Sequence, residues 1–362
     1  MHAGPTCAEV LSKAFLEIFG LLLLVTPMAY IYVFSSNYDP YHRGFFCDDQ
    51  NLKHPYLPQT VPIVQCVLIW AAVSTFFIVT VETLRSWAEA QAGTRRCKPF
   101  PNNRTPWIAC ELYRHFGYFT LGALTTLLFT ELSKYSIGRL RPHFLTLCKP
   151  NLSPELCEDP VGSGYQRFVT ESEEEICQGL INGDVTKKQL HEARLSFLSG
   201  HSSFSFYCGM FLIVYLQARL SNFPRHQSTW VSIIYRTLKV LRPFIQFAMI
   251  ILSFWISLTR ISDYFHHPMD VLTGAVVGMC FAIITLMVIA DVFNKRSAFW
   301  RPMDRQCSTN SQEDRSTHTD TVNVPISPYN NEILDMNRRD PFKMMDNNSI
   351  TMEEQHSLKN QK

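Results

Sequence analysis

The sequence predicts an all-α polytopic membrane protein with six transmembrane helices. Three observations carry this fold class. Apolar residues are gathered into long runs, the runs lack the polar residue at every third or fourth position that a surface helix shows, and the segments between them alternate in basic content. The 362 residues are 46% apolar with a mean hydropathy of −0.02, as in an ordinary globular chain, so segregation rather than the average decides. Read in windows of about 19 residues, the runs fall at 16–34, 61–81, 116–132, 202–216, 244–258 and 271–293. Most can cross a hydrocarbon core about 30 Å thick. The fourth, rich in serine, is the weakest of the six. The stretches "AMIILSFWISL" and "VLTGAVVGMCFAIITLMVIA" have almost no polar interruption, which argues against buried helices of a large soluble protein.

Each element has its own justification. The first run exceeds the apolar region of a signal peptide, about 7 to 15 residues, and no small-residue cleavage site follows, so it reads as an uncleaved span. An even number of spans puts both termini on one side. Residues 82–115 hold Arg85, Arg95, Arg96, Lys98, Arg104 and Arg114, and 217–243 hold Arg219, Arg225, Arg236, Lys239 and Arg242. The tail opens with Lys295, Arg296 and Arg301, whereas 35–60 has only Arg43 and Lys53. Basic loops stay cytoplasmic. The termini are therefore expected in the cytoplasm, and 35–60, 133–201 and 259–270 on the extracellular or luminal side, most readily of the plasma membrane. The organisation expected is a cytoplasmic N-terminus over 1–15, a six-span membrane domain over 16–293, and a polar, aperiodic tail over 294–362 expected to be disordered.

Of eleven cysteines, Cys47, Cys148, Cys157 and Cys177 fall in the outer loops, an even number in an oxidising compartment. Three pairings are open. Asn151 begins Asn-Leu-Ser in the long outer loop and is a glycosylation candidate, while the sequons at Asn103 and Asn347 face the cytoplasm in this topology. The acidic run "ESEEE" at 171–175 reads as a solvated turn. No glycine-rich phosphate loop and no metal-type cysteine or histidine spacing is present, so no cofactor, no metal and no nucleic-acid partner is expected.

Three short segments at span borders carry chemistry. In "ELSKYSIGRLRPHF", 131–144, Lys134 and Arg141 are seven apart, close to two helical turns, which puts both cations on one helix face and Arg139 on another. Positive charge is disfavoured on the outer flank, which weakens simple snorkelling to headgroups. In "SFLSGHSSFS", 196–205, Ser199, Gly200 and His201 lead into the fourth span. The unpaired amides of that helix end attract phosphate, although a serine cap beside a surface histidine fits the stretch taken alone. In "RISDYFHHPMDVL", 260–272, Arg260 can fork onto phosphate oxygens. A helix beginning near Phe265 would put His266 and Asp270 on one face, the carboxylate orienting the imidazole, with His267 pointing away. Together these groups suit phosphoryl transfer, with fixed cations on the equatorial oxygens, one histidine to attack and another to protonate the leaving alkoxide.

The segments "KYSIGRLRP", "SGHSSFS" and "RISDYFHHPMD" resemble the three signatures of the lipid phosphate phosphatases, in the type 2 phosphatidic acid phosphatase superfamily. The patterns K-x6-R-P, P-S-G-H and S-R-x5-H-x3-D occur in order, with Leu198 in place of Pro and Thr259 in place of Ser. The likeness includes "RGFFCDD" at 43–49 and covers about 15–293. It implies that His266 is the nucleophile, Asp270 its partner and His201 the general acid, with Lys134, Arg141, Ser199, Gly200 and Arg260 binding phosphate. It also implies phosphatidate, lysophosphatidate and sphingolipid phosphates as substrates, hydrolysed without magnesium at the outer face. A homo-oligomer is compatible with the sequence. The alternative reading is a catalytically inactive, phosphatase-related membrane protein that binds lipid or partners. Such relatives typically lack signature residues that are all present here. A transporter with a proton relay would put charge in mid-span, whereas Lys134, His201 and His266 lie at span ends.

Overall fold

The computed structural model describes residues 19–20, 22–27, 29–30, 39–91, 107–151, 153–158, 166–221 and 229–292. Helix α1 spans Ile63–Gln91 and α2 spans Trp107–Ile137. The segment that follows folds into short helices α3 (Phe144–Cys148), α4 (Pro154–Cys157), α5 (Glu173–Ile176), α6 (Gln178–Ile181) and α7 (Lys187–Glu192). Helices α8 (Gly200–Ser221), α9 (Thr229–Ser262) and α10 (Pro268–Ile284) follow, and α10 runs into a π-helical turn, Thr285–Ile289. Strands β1 (Phe45–Phe46) and β2 (Phe168–Val169) pair antiparallel, Phe45 opposite Val169. The starts of α1, α8 and α10 meet the ends of α2 and α9, so successive long helices are antiparallel.

Among the described residues, four helices are long and apolar enough to cross a membrane: Ile63–Ala88, Gly200–Ser221, Ser232–Ser262 and Pro268–Ile289. The expected third span lies within α2, which has the length but is diluted by threonine, glycine and its charged residues. The expected first span is described in part: 19–20, 22–27 and 29–30 are helical, and its other residues lie outside the described ones. The tail 294–362 and the sequons at Asn103 and Asn347 also lie outside them. The helices overrun the expected spans. Arg85, Arg114 and Arg219 are therefore helical rather than loop residues, and Glu82, Tyr215 and Arg219 form a buried network, with Arg219 Nε 2.8 Å and Tyr215 Oη 2.6 Å from Glu82 Oε1.

The serine-rich helix that looked weakest is the central one. α8 packs against α1, α2, α9 and α10, and most of its residues are buried. Its serines link helices: Ser202 Oγ donates to the Val271 carbonyl at 2.7 Å, Ser203 Oγ meets Thr130 Oγ1 at 2.9 Å, and Ser205 Oγ accepts from Trp70 Nε1 at 3.0 Å. Small residues and hydroxyls do this where lipid supplies no hydrophobic drive between helices. On the facing helix, a Cβ at Gly274 would sit 2.7 Å from the Ser199 carbonyl oxygen, and one at Gly278 2.1 Å from that of Ser203, so only glycine permits this approach.

The segments flanking β1 and β2 and carrying α3 to α7 fold together into a cap with its own core, including Phe45, Leu52, Phe144, Leu145, Leu147, Val169, Val185 and Leu190. Disulfides Cys47–Cys157 and Cys148–Cys177 select one of the three open pairings. The "RGFFCDD" stretch is explained by this cap. Arg43 presents its carbonyl to Arg194 Nη1 at 3.1 Å, Phe45 and Phe46 form β1, Cys47 enters a disulfide, and Asp49 caps the turn Gln50–Leu52. Arg194 also pairs with Glu173, within the acidic run, so that residue is not merely solvated. Asn151 is exposed on the cap.

Candidate active site

Gly138 ends the first signature's helix. α2 stops at Ile137, and Gly138 turns the chain with φ +54°. A Cβ there would meet the Tyr41 carbonyl oxygen at 1.8 Å. Lys134 and Arg141 are thus not on one helix face. Lys134 projects from the last turn of α2, whereas Arg141 lies in the extended segment beyond it, held by its N–H on the Ala193 carbonyl at 2.8 Å. The bend also delivers Arg139, expected on another side, directly into the site.

The second signature opens α8. Ser199 N–H donates to the Asp270 carbonyl at 3.1 Å, joining this helix start to that of α10. The Ser199 hydroxyl is buried and has no hydrogen-bond partner among the described residues. A Cβ on Gly200 would lie 3.4 Å from Lys134 Nζ, so the ammonium stands directly over the helix start. His201, a surface residue if the stretch were only a serine-capped helix start, is buried, and its Nε2 bonds the Val61 carbonyl at 3.0 Å. A carbonyl only accepts, so Nε2 carries a proton and Nδ1 is left for exchange.

The third signature departs most from expectation. α10 begins at Pro268, not near Phe265, so His266 precedes the helix and Asp270 lies in its first turn. The Asp270 carboxylate accepts from Arg139 Nη1 at 2.6 Å, Ser196 Oγ at 2.6 Å and His267 N–H at 3.2 Å. His266 Nδ1 instead bonds the Ser196 carbonyl at 2.7 Å. Asp270 therefore reaches His266 through Ser196 rather than by direct contact. Ser196 is a hub, since its N–H also donates to the Arg139 carbonyl at 3.0 Å. With Nδ1–H donated to a carbonyl, the lone pair of neutral His266 is at Nε2. His267, without a role in the sequence, bonds the Leu140 carbonyl through Nε2 at 3.0 Å and ties this loop to the first signature.

The cations differ in their partners. Lys134 pairs with Glu131 at 2.7 Å, and Arg260 with Asp263 at 2.6 Å. The Arg141 guanidinium has no carboxylate partner among the described residues, and its Nε is buried without a hydrogen bond. Arg141 and Arg260 both lie over the Phe265 ring, 5.3 and 5.7 Å from its centroid, so one buried aromatic sets two guanidiniums. Burial pushes His266 well below the ordinary imidazole value of 6.5, and the charges of Arg141, Lys134 and His201 push it further. Burial likewise lowers Arg141 and His267. His143 falls to about 4 through burial and Arg141, against a raising bond from its Nδ1 to the Tyr264 carbonyl.

All eight residues singled out in the three signatures thus gather at one end of the bundle. Sequence reasoning missed Arg139, Ser196 and Phe265; Gly138 was the available stop signal that would have redirected Arg139. Glu82, Glu111 and His115 could together offer three metal ligands, but they lie at the opposite end of α1 and α2, where Arg219 and Tyr215 already engage Glu82.

A bundle with helices long and apolar enough to cross a membrane, and with cations and two imidazoles gathered at one end, fits a membrane phosphatase, and comparison with known proteins gives the family. The profile of the PAP2 superfamily matches residues 116–293. The chain is 33% identical to phospholipid phosphatase 1 of Mus musculus over 308 residues, 85% of this chain and 95% of the relative. It is 35% identical to phospholipid phosphatase 1 of Rattus norvegicus over 278 residues, 77% and 85% of the two chains. With phospholipid phosphatase 2 of Homo sapiens it shares 33% over 288 residues, 78% and 84%. No solved structure matches it. The chain belongs to the PAP2 superfamily, in its phospholipid phosphatase branch, and is a phosphatase.

Proposed function

We propose that this protein is a six-span lipid phosphate monoesterase acting on phosphatidate, lysophosphatidate and related sphingolipid phosphates at the extracellular or luminal face, by a magnesium-independent route through a phosphohistidine. The observation that carries the reading is the opposite tautomeric setting of the two histidines, Nδ1 of His266 and Nε2 of His201 each on a backbone carbonyl, amid Lys134, Arg141 and Arg260. His266 is kept neutral and presents Nε2 as a nucleophile, while His201 keeps Nδ1 for proton exchange.

The phosphate is held by Lys134, Arg141 and Arg260, by the Ser199 hydroxyl and by the amides at the start of α8. The lone pair of His266 Nε2 forms the N–P bond as the P–O bond to the lipid breaks, and His201, entering the step protonated on both ring nitrogens, gives its Nδ1 proton to the departing alkoxide and becomes the neutral Nε2–H tautomer. Water, deprotonated by the same Nδ1, then attacks phosphorus, releasing phosphate and neutral His266. Three fixed cations oppose the charge on the equatorial oxygens, the task a metal performs elsewhere. The apolar tail can stay in the bilayer while its headgroup meets the site at the helix ends. Outward placement of the cap, with both termini cytoplasmic and glycan on Asn151, accords with the basic bias of the opposite loops and the disulfides.

The test is phosphate release from micellar phosphatidate by purified protein with a chelator present. Wild type releases phosphate, and His266→Ala and His201→Ala lose it by about 100-fold or more. Equal release by all three rejects the residue assignment, and a requirement for added magnesium rejects the metal-free route.

A further inference from the structure

The segment 58–62, Pro-Gln-Thr-Val-Pro, enters α1 beside the catalytic groups and belongs to none of the three signatures. Three consecutive residues in it reach three polar groups of the site. Gln59 Oε1 accepts from Arg260 Nη1 at 3.4 Å. Thr60 donates to Asp263 twice, through N–H at 2.8 Å and Oγ1–H at 2.7 Å. The Val61 carbonyl accepts from His201 Nε2 at 3.0 Å. Asp263 is buried and holds Arg260 Nη2 at 2.6 Å with the oxygen that also takes the Thr60 amide.

The mechanics follow from these anchors. The Val61 side chain is buried in the main core beside the α1 residues Cys66 and Trp70, and a proline at each end of the strap limits its backbone freedom. Thr60 fastens the middle to the third signature. What the strap presents is one carbonyl oxygen, fixed on an imidazole. A carbonyl at Nε2 fixes an N–H there, so the proton that His201 gains and gives up is the one at Nδ1.

We propose that Asp263 and Thr60 are positioning residues for the general acid, holding the Val61 carbonyl on His201 Nε2 so that the imidazolium offers its Nδ1 proton to the departing alkoxide. This inference rests on the phosphatase reading above. Its signature is leaving-group dependence. Phosphatidate expels an alkoxide that needs a proton, whereas p-nitrophenyl phosphate expels a stabilised phenolate that does not. A merely structural weakening slows both alike.

The experiment compares turnover of the two substrates by the purified full chain in detergent, for wild type, Thr60→Val, Thr60→Ser and Asp263→Asn. Thr60→Val lowers the phosphatidate to p-nitrophenyl phosphate ratio about tenfold, and Thr60→Ser, which keeps the hydroxyl, restores it to within about threefold. Asp263→Asn lowers the ratio in the same sense and carries the test if Thr60→Val does not fold. Parallel loss on both substrates, or an unaltered ratio in Thr60→Val and Asp263→Asn, overturns the strap alone. A wild type inert on both substrates overturns the phosphatase reading and the strap together.

Discussion

Asp270 pairs with Arg139, Oδ1 to Nη1 at 2.6 Å, and Ser196 occupies the path between that carboxylate and His266. The pair has a buried carboxylate and a partly exposed guanidinium. Removing one partner of such a pair leaves the other uncompensated, which costs more than the pair contributes. Asp270→Asn is expected to destabilise by about 3 kcal/mol, and Ser196→Ala by about 1 kcal/mol. The double variant should lose less than the sum, because both single changes break one network. Denaturant unfolding in mixed micelles reads these values. Equal unfolding of Ser196→Ala and wild type would contradict the bond from the Ser196 hydroxyl to Asp270.

The glycines divide into two kinds. At Gly200 an added Cβ meets Lys134 Nζ at 3.4 Å and Thr130 Cγ2 at 3.7 Å, ordinary contacts that the fold can absorb. Gly200→Ala should keep its unfolding midpoint but weaken competitive inhibition by inorganic phosphate about tenfold, since the methyl fills the space between the ammonium and the helix amides. At Gly278 the added Cβ would lie 2.1 Å from the Ser203 carbonyl oxygen. Gly278→Ala should lower stability by about 1 to 3 kcal/mol. Equal thermal midpoints for Gly278→Ala and wild type would remove the close packing of α8 on α10.

The cap depends on its cross-links as much as on its small core. Paired Cys→Ser changes at Cys47 and Cys157, or at Cys148 and Cys177, should each cost about 2 to 5 kcal/mol. Limited trypsin digestion should then cut the cap first. Peptide mapping without reductant should recover Cys47 with Cys157 and Cys148 with Cys177, and either of the other two pairings contradicts the cap topology.

His143 gives a pH dependence of known sign. Its folded value of about 4 lies below the ordinary 6.5, so between those values the unfolded chain takes up a proton that the folded chain refuses. Stability is greatest above 6.5 and falls as the pH drops through this window. His266, displaced in the same direction, adds to the slope. His143→Phe, set among Tyr56 and Phe265, should flatten the dependence of the unfolding midpoint on pH across that window. An unchanged slope would show that His143 is not the group responsible.

The sequence was most legible where composition speaks for an environment. Long apolar runs mark the four helices that are long and apolar enough to cross a membrane among the described residues, the serine-rich one included, although its serines face other helices rather than water. The residues of the three signatures could be named because charge at a span border is costly without a purpose. Their geometry was less accessible. Extending α2 as an ideal helix made Lys134 and Arg141 share a face and turned Arg139 away, whereas Gly138 breaks the helix and reverses that ranking. The four-residue spacing of His266 and Asp270 looked like a helical pair because the start of α10 was set about three residues early. Ser196 and the 59–61 strap act through backbone carbonyls as well as side chains, and a carbonyl leaves no mark in residue identity.

In the proposed reaction His266 attacks phosphorus through Nε2 while His201 serves the leaving group. The direct measurement is an alkaline quench of the purified enzyme during turnover of phosphatidate labelled in its phosphate, followed by peptide mapping of the acid-labile label. Label is expected on His266, at Nε2, and none in His266→Ala. Label on His201, or phosphate release by His266→Ala at the wild-type rate, would contradict it.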